Sequence, residues 1–520
     1  MHSATVTLPD TNAALQKLVL GLYEKIERYE QENRLLREQI RLLRSQLYGR
    51  KSEKVVPVDN PQLPLFDMPE PEELVEDERI PVPAHTRKKQ GGRKVLSDDL
   101  PRVEVVHDID EQDKVCSCGC ALKRIGEETS EQLDIVPAKV RVLRHIRPKY
   151  ACPACEGVED EESAVKIAPV PPQIIPRSIA SPGLLAHILT GKFVDHAPFY
   201  RQEKQLLRLG ADISRTTMCR WAMQVARICQ PLLDLFHTEM LAGRVIQIDE
   251  TPLQVLREAG RSPTQKSFMW VFRRDDPDRP ILMYQYSPTR AGDVANAFLR
   301  GFEGTVQTDG YAGYDFLDTS RAIRHIGCWA HARRKFTEVT KAQGKRRKAG
   351  AADRALSYIS KLYRIEKKIR RGSYSPDKIS EIRQAEAKPI LDSFHTWLQK
   401  KKLQTPPKGL LGKAVAYTLN QWPRLAGYIE DGHCSIDNNM AENSIRPFVL
   451  GRKNWLFAGT PEGARASALL YSLVETARAN GLEPYAYLRF IFTRLPVVAT
   501  QEDHEALLPW NITQEQLNLA

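Results

Sequence analysis

The sequence predicts a multidomain α+β protein, in which a mixed β-sheet core is interrupted by a helical insertion. At 520 residues the chain is too long for a single hydrophobic core. Strand patterns then follow one another after Gly243, with a helical pattern among them. Most of the cysteines lie close together in the first third of the chain, which is typical of a small metal-binding module.

Composition and charge restrict the class of protein. Hydrophobic residues are 42% and charged residues 27%, values typical of a folded protein rather than a disordered one. The net charge of +11 and the pI near 9.1 favour a polyanionic partner such as nucleic acid. No apolar run approaches the roughly 20 residues of a membrane helix, and no signal-peptide pattern is present. We therefore expect a cytoplasmic protein that associates with the nucleoid.

Residues 15–47 carry a heptad pattern that predicts a parallel coiled coil, through which the protein forms a homodimer or a higher oligomer. Position a holds Val19, Ile26, Asn33, Ile40 and Leu47, and position d holds Leu15, Leu22, Tyr29, Leu36 and Leu43. An Asn at one a position fixes register and the dimeric state. The alternative is a single amphipathic helix docked on the body. A basic leucine-zipper factor is not expected, because residues 1–14 contain no Lys or Arg.

The segment 51–100 is rich in proline and charge, and we interpret it as a linker. It contains a basic arm of the kind that lies along DNA phosphates or enters a minor groove of DNA. The basic residues of this arm are Arg87, Lys88, Lys89, Arg93 and Lys94. A solvated run of charges is the alternative.

Two cysteine knuckles predict a structural zinc site within residues 101–160. The second knuckle offers Cys152 and Cys155. The first is irregular, and offers either Cys116 with Cys118 or Cys118 with Cys120. We prefer Cys116 and Cys118, because Gly119 then follows the second ligand and assists a tight turn. Cysteines without metal are the alternative.

Residues 175–240 show short helical patterns with breaks, which predict a helical DNA-binding region of helix-turn-helix type. Ser214 is the predicted N-cap of the recognition helix. Arg215 and Arg220 follow it and are available to phosphates or bases. A plain packing helix is the alternative.

The region from 241 to 340 predicts the first part of a catalytic core. Strand patterns lie at 245–256, 268–274, 281–286, 304–308 and near Ile323, and a helical pattern lies at 289–300. Three successive strands followed by a helix and a strand form the layout of a ribonuclease-H-like fold. Asp249 lies within the first strand and Asp309 at the end of a neighbouring one.

A strongly basic stretch, 341–424, predicts a helical insertion that faces DNA, notably at Lys345, Arg346, Arg347 and Lys348. The core would resume at 425–475, with Glu442 on a helix as the third carboxylate. Such a triad suits two Mg²⁺ or Mn²⁺ ions, because hard cations prefer oxygen ligands. A metal pair of this kind stabilises both the attacking and the leaving oxygen in phosphodiester displacement.

The stretch 328–334 follows soon after Asp309 and offers two further candidate site residues. His331 and Arg333 are predicted to face phosphate. The alternative is a core tryptophan, Trp329, beside a hydrogen-bonded histidine.

The order of these motifs resembles the transposases of bacterial insertion-sequence-66 elements. The resemblance rests on the zipper, the basic arm, the cysteine knuckles and five further motifs. These are IDET at 248–251, TDGY at 308–311, CWAHARR at 328–334, DNN at 437–439 through Arg446-Pro447, and GRKNWLF at 451–457. It covers roughly residues 15–495 and implies a DDE-type enzyme whose acidic triad matches Asp249, Asp309 and Glu442. It also implies small companion proteins of the element, and only the short first knuckle departs from the family pattern.

These observations lead to a functional hypothesis and a division of the chain. The protein is predicted to cleave DNA at insertion-sequence ends and to transfer the strand into target DNA. The alternatives are a structure-specific nuclease of the same fold and a non-catalytic zinc-containing DNA-binding regulator. The predicted regions are a dimerisation helix (1–50), linker (51–100), zinc module (101–160), helical DNA-binding region (175–240), first core part (241–340), insertion (341–424), second core part (425–475) and C-terminal segment (476–520).

Overall fold

A computed structural model of the protein describes residues 11–48, 139–151, 165–274, 276, 278–343 and 349–518. Several predicted sites lie outside these residues. They are the basic arm (Arg87, Lys88, Lys89, Arg93 and Lys94), the zinc ligands (Cys116, Cys118, Cys152 and Cys155) and the basic run Lys345, Arg346, Arg347 and Lys348. Strands β1 (Lys149–Ala151) and β2 (Val165–Ile167) pair in antiparallel orientation.

The predicted N-terminal helix is present as α1 (Asn12–Tyr48), and it has two distinct faces. One face, which includes Leu35 and Leu42, is partly buried, and the helix packs against α7 (Trp329–Gln343). The heptad face is solvent-exposed: Leu22 and Leu36 are each 49% exposed. The docked helix that we considered as an alternative is therefore observed, but it docks through residues other than the heptad positions.

Four described helices lie between β2 and the central sheet: α2 (Pro182–Phe193), α3 (Phe199–Arg208), α4 (Arg215–Ile228) and α5 (Gln230–Leu241). Ser214 caps α4 as predicted, because its hydroxyl accepts a hydrogen bond from the Thr217 amide at 3.2 Å. Glu203 on α3 accepts a hydrogen bond from the Arg215 amide at 2.9 Å, which fixes the connection between α3 and α4.

The central sheet has five strands in the order β5-β4-β3-β6-β7. Their bounds are Val245–Gln254 (β3), Lys266–Arg274 (β4), Ile281–Ser287 (β5), Gly304–Gln307 (β6) and Ile323–Ile326 (β7). β3, β4 and β5 are antiparallel neighbours, whereas β6 and β7 run parallel to β3. The mixed sheet predicted from the sequence is confirmed.

The helix predicted at 289–300 is shorter than expected. It is α6 (Asp293–Phe298), which begins after Gly292. Gly292 approaches the backbone of Gly313 so closely that a Cβ atom would lie 2.0 Å from the Gly313 carbonyl oxygen. The tight contact holds residues 288–292 as a loop, which the periodicity of apolar residues does not reveal.

Helices fill the region between β7 and the next part of the core. They are α7, α8 (Ala351–Arg371), α9 (Pro376–Ile382), α10 (Lys388–Leu403), α11 (Leu410–Asn420) and α12 (Trp422–Ala426), and a π-helical turn joins α9 to α10. Together they enclose a second hydrophobic core, separate from the core beneath the sheet. In that turn, Arg383 forms a buried ion pair with Glu366 of α8, with two contacts of 2.9 and 2.8 Å.

The chain then returns to the sheet through α13 (Asn439–Trp455) and α14 (Pro461–Ala479), followed by α15 (Pro484–Arg494), α16 (Gln501–Glu505) and α17 (Gln514–Asn518). α14 covers the edge strand β5. The hydroxyls of Ser472 and Thr476 accept hydrogen bonds from the Tyr284 and Leu282 amides at 2.8 and 3.1 Å. These contacts occupy amides that an edge strand otherwise leaves open. No described helix has the length and apolarity needed to cross a membrane.

Candidate active site

Asp249 and Asp309 lie at the same edge of the sheet because β3 and β6 are parallel neighbours in register. Gln247 is paired with Gln307 along these strands, and each aspartate lies two residues further on. The buried Gln247 amide donates to the Gln307 side-chain oxygen at 2.8 Å, so side chains as well as backbone fix this register. Two carboxylates are thereby placed side by side.

Glu442 approaches these aspartates from the first turn of α13. The Asn438 amide group donates to the Ile248 carbonyl at 2.9 Å, and the Ala441 amide donates to the Gln247 side-chain oxygen at 3.2 Å. Both contacts join the start of α13 to the strand that carries Asp249. A carboxylate in the first turn also faces the positive end of the helix dipole.

The three carboxylates interact electrostatically. Burial raises the pKa of Asp249 well above its usual range, and the carboxylates of Glu250, Glu442 and Asp309 raise it further. Burial also raises the pKa of Glu442 to about 7, although the Arg334 guanidinium lowers it. A cluster of buried acids whose charges repel one another is neutralised either by protonation or by a bound cation.

The carboxylate of Glu442 is the least satisfied group of the cluster. Its side chain is only 4% exposed, and neither oxygen has a hydrogen-bond partner among the described residues. His331 Nδ1 and the Arg334 guanidinium each lie 3.5 Å from one of its oxygens. By contrast, Asp249 and Asp309 each accept one backbone amide, from Glu250 and Tyr311 respectively, at 2.9 Å. Oxygens left without donors are suited to a hard cation.

Asp437, five residues before Glu442, is the obvious competitor for the role of third acid. Its oxygens are occupied, because the Tyr363 hydroxyl donates to one at 2.9 Å and the Asn439 amide to the other at 3.2 Å. Asp437 therefore stabilises the start of α13. The geometry favours Glu442 over Asp437 as the site carboxylate.

Glu250 follows Asp249 on β3, but its carboxylate has partners of its own. It forms an ion pair with Arg290 and accepts a hydrogen bond from the Tyr314 hydroxyl. Adjacent side chains of a strand point to opposite faces of the sheet. Glu250 therefore supports the loop that contains Asp309 and Tyr311. The Arg290 guanidinium lies over the Tyr311 ring, 3.7 Å from its centre.

The two further candidate residues on α7, His331 and Arg333, lie in different surroundings. His331 lies in the site, beside Glu442, and burial together with the Arg334 charge lowers the pKa of His331 to about 4. Arg333 points elsewhere, 5.8 Å above the Tyr363 ring. Arg334 contacts Glu442 in its place. The alternative interpretation also holds in part, since Trp329 is buried and donates to the Leu425 carbonyl at 2.8 Å.

Sequence reasoning missed Arg334 and Cys328, although the helical repeat contains the signal. Residues three or four apart on a helix share a face, so Cys328, His331 and Arg334 form one row along α7. Arg333 falls outside that row.

A chain of hydrogen bonds supports the backbone next to Asp309. The Thr308 hydroxyl contacts His325 Nε2 at 2.8 Å, and His325 Nδ1 contacts Asp318 at 2.8 Å. Arg424 of α12 completes the chain by ion pairs with Asp318 and Asp315. The end of β6 is thus held from the side opposite the site.

The predicted DNA-contacting residues within the described range are Arg215 and Arg220. Both are exposed on α4, and Arg215 lies 5.9 Å from the centre of the Tyr200 ring. They are accessible to a large partner. They are on a helix other than those that carry the carboxylate cluster.

Models of known protein families match most of the chain. A family model described as "Transposase IS66 family" matches residues 177–466. Others match 113–156 ("zinc-finger binding domain of transposase IS66"), 472–510 ("IS66 C-terminal element") and 35–105 ("Transposase C of IS166 homeodomain"). The last two lie on either side of the segments matched by the first two.

Similar full-length proteins occur in Sinorhizobium fredii (strain NBRC 101917 / NGR234). Uncharacterized protein y4jD is 33% identical over 511 residues, which cover 93% of this chain and 96% of that protein. Uncharacterized protein y4qI is 32% identical over 437 residues, covering 82% of this chain and 78% of that protein. Uncharacterized protein y4hP is 30% identical over 506 residues, covering 91% and 87% respectively.

Proposed function

Because this chain belongs to the IS66 family of transposases, we propose that it cleaves DNA at insertion-sequence ends and joins the released 3′ ends to target DNA in the cytoplasm. The convergence of Asp249, Asp309 and Glu442 is the observation that carries this proposal. The sheet order and the position of Glu442 on a following helix support a ribonuclease-H-like core. The eight predicted regions remain the proposed domain organisation.

The donor set fits Mg²⁺ or Mn²⁺, since it consists of carboxylate oxygens and includes a buried carboxylate without hydrogen bonds. Asp249, Asp309 and Glu442 would hold two such ions, which would supply charge stabilisation to the attacking and leaving oxygens. Arg334 and His331 lie beside Glu442 and are positioned to bind the phosphate of the DNA strand. Arg290 holds Glu250, and so keeps the Asp309 loop in place.

DNA is proposed to be held by surfaces outside the site. Arg215 and Arg220 on α4, the basic arm of the linker and the basic insertion would contact phosphates, which gives binding with a steep dependence on salt. Companion proteins of the element are proposed as further partners. Arg333 is proposed only as a support of Tyr363, given the position of its guanidinium.

One experiment separates this function from its alternatives. The full chain is incubated with its element's ends, target DNA and Mg²⁺, and the products are sequenced. Joined products support a transposase, and cleavage without joining indicates a structure-specific nuclease. Binding of the ends without any Mg²⁺-dependent cleavage indicates a DNA-binding regulator, and refutes the enzymatic proposal.

Zinc should be essential to the module matched at 113–156. We expect about one structural zinc per chain, bound by Cys116, Cys118, Cys152 and Cys155, and Cys152→Ser should lose it and unfold residues 101–160 because folding and zinc binding are coupled. Elemental analysis together with limited proteolysis measures both effects. Cys120→Ser should retain the metal if the preferred ligand set is right, and zinc-free protein prepared without chelator would contradict the proposal.

The exposed heptad face of α1 is proposed to dimerise the protein. Replacement of both Leu22 and Leu36 by Pro should abolish the dimer, because each Pro costs about 3 kcal/mol in a helix interior. Asn33→Val should strengthen association while loosening the choice of oligomer. Light scattering on the full chain measures both. A wild-type protein that is monomeric at micromolar concentration would rule the dimer out.

A further inference from the structure

A sulfur, a nitrogen and a carboxylate ligand meet where α7 approaches α13. Cys328 immediately precedes α7, His331 lies one turn later, and Glu442 comes from α13. One ligand atom of each residue lies within 4.8 Å of the other two. The group is largely enclosed, since Cys328 and Glu442 are buried and His331 is partly buried.

The carboxylate and imidazole ligand atoms of this group lack hydrogen bonds within the described part of the chain. Glu442 is 3% exposed, and neither its carboxylate oxygens nor His331 Nδ1 has a hydrogen-bond partner among the described residues. The Cys328 sulfur accepts one contact, from the Asn438 amide at 3.2 Å, and a bound cation would take the place of its proton. Buried polar atoms without partners carry a desolvation penalty, which a bound cation removes.

We propose that Cys328, His331 and Glu442 form a separate site for a borderline cation such as Zn²⁺. The donor set decides the class of ion: thiolate and imidazole favour Zn²⁺, whereas Mg²⁺ takes oxygen ligands. In a tetrahedral zinc site, ligand atoms lie about 3.3–3.8 Å apart, so a small side-chain rotation would close the present spacing. Three protein ligands leave a fourth position open.

The shared ligand gives this site a regulatory consequence. Glu442 also belongs to the proposed catalytic triad, so zinc held by Cys328 and His331 would draw away a carboxylate that Mg²⁺ requires. This part of the inference rests on the proposed function. Micromolar Zn²⁺ should then inhibit DNA cleavage in the presence of millimolar Mg²⁺, and Cys328→Ser should relieve the inhibition.

The binding itself is tested without DNA or activity. Untagged full-length protein with its zinc finger already loaded is dialysed against Co²⁺ as the probe. It should take up about one further equivalent, with the charge-transfer absorption of a cobalt–thiolate bond. Cys328→Ser should lose both the equivalent and the absorption band. His331→Gln is the second variant, and should weaken uptake while circular dichroism remains that of the folded protein.

Cys229→Ser is the matched control, because Cys229 is also a buried free cysteine but lies at the start of α5. It should keep the additional equivalent and its absorption band. No further cobalt in the wild type, or equal uptake by the Cys328→Ser protein, would overturn the proposed site. A failure of strand transfer would not change the cobalt uptake. The proposed metal site and the proposed transposase activity are therefore tested independently.

Discussion

Replacing Asp249, Asp309 or Glu442 by its amide is expected to lower DNA cleavage and strand transfer by about a hundred- to a thousandfold, the scale of losing a main electrostatic stabiliser of a transition state. Asp249→Asn, Asp309→Asn and Glu442→Gln preserve size while removing the charge that binds a divalent cation. Binding to the element's ends should remain nearly intact, because affinity comes from Lys and Arg contacts to phosphate. Gel shift and product sequencing measure binding and catalysis separately.

Two neighbouring carboxylates serve as controls for this result. Glu250→Gln should keep most activity, since its carboxylate contacts Arg290 and Tyr314 instead of the cluster. Asp437→Asn should likewise act mainly on stability, because both Asp437 oxygens are already hydrogen-bonded. If Glu442→Gln retains wild-type strand transfer while Asp437→Asn abolishes it, the assignment of the third acid is wrong.

Glu366→Ala is expected to lower the free energy of unfolding by about 3–5 kcal/mol, the usual cost of leaving a buried charge without its partner. Arg383 is 3% exposed and contacts both Glu366 oxygens. It also donates to the carbonyls of Tyr428, Asp431 and Cys434 at 3.0, 2.9 and 2.9 Å. Those carbonyls lie shortly before α13, so we also expect a loss of activity. Denaturant unfolding and a cleavage assay measure the two effects.

An exposed ion pair provides the comparison for the buried one. Lys388 and Asp392 are one turn apart on α10, 3.0 Å from each other, and both are more than half exposed. Asp392→Ala should change stability by no more than about 0.5 kcal/mol. A loss of similar size in Glu366→Ala would mean that water reaches the Arg383 guanidinium.

The sequence predicts the sheet well, because its strands are runs of apolar and β-branched residues with clear ends. It also identifies Asp249, since an acid inside a buried strand needs a partner. It also predicts Glu442 as the third acid of that site, but it does not show how Glu442 approaches Asp249. That approach depends on Asn438 reaching the Ile248 carbonyl, 190 residues away in the chain. Periodicity describes one element at a time and contains no information on such pairings.

The same limit explains the results on the two helices that surround the site. The heptad pattern of α1 predicts an exposed apolar face, but not the second face that packs on α7. On α7, composition alone favoured Arg333, whereas the direction of each residue around the helix decides that Arg334 reaches Glu442. Residue type indicates the chemistry, and the rotation of the helix selects the residue.

The contact between Gln307 and the Ser435 carbonyl spans 128 residues, so it cannot form until ribosomal synthesis has passed Ser435. At ribosomal speeds of about 5–20 residues per second, on the order of 10 s pass between synthesis of the two partners. During this interval the nascent chain has both aspartates but no Glu442. A prematurely terminated product would therefore retain the segments proposed to bind DNA while being unable to cut it, and would compete with the complete protein for the same ends.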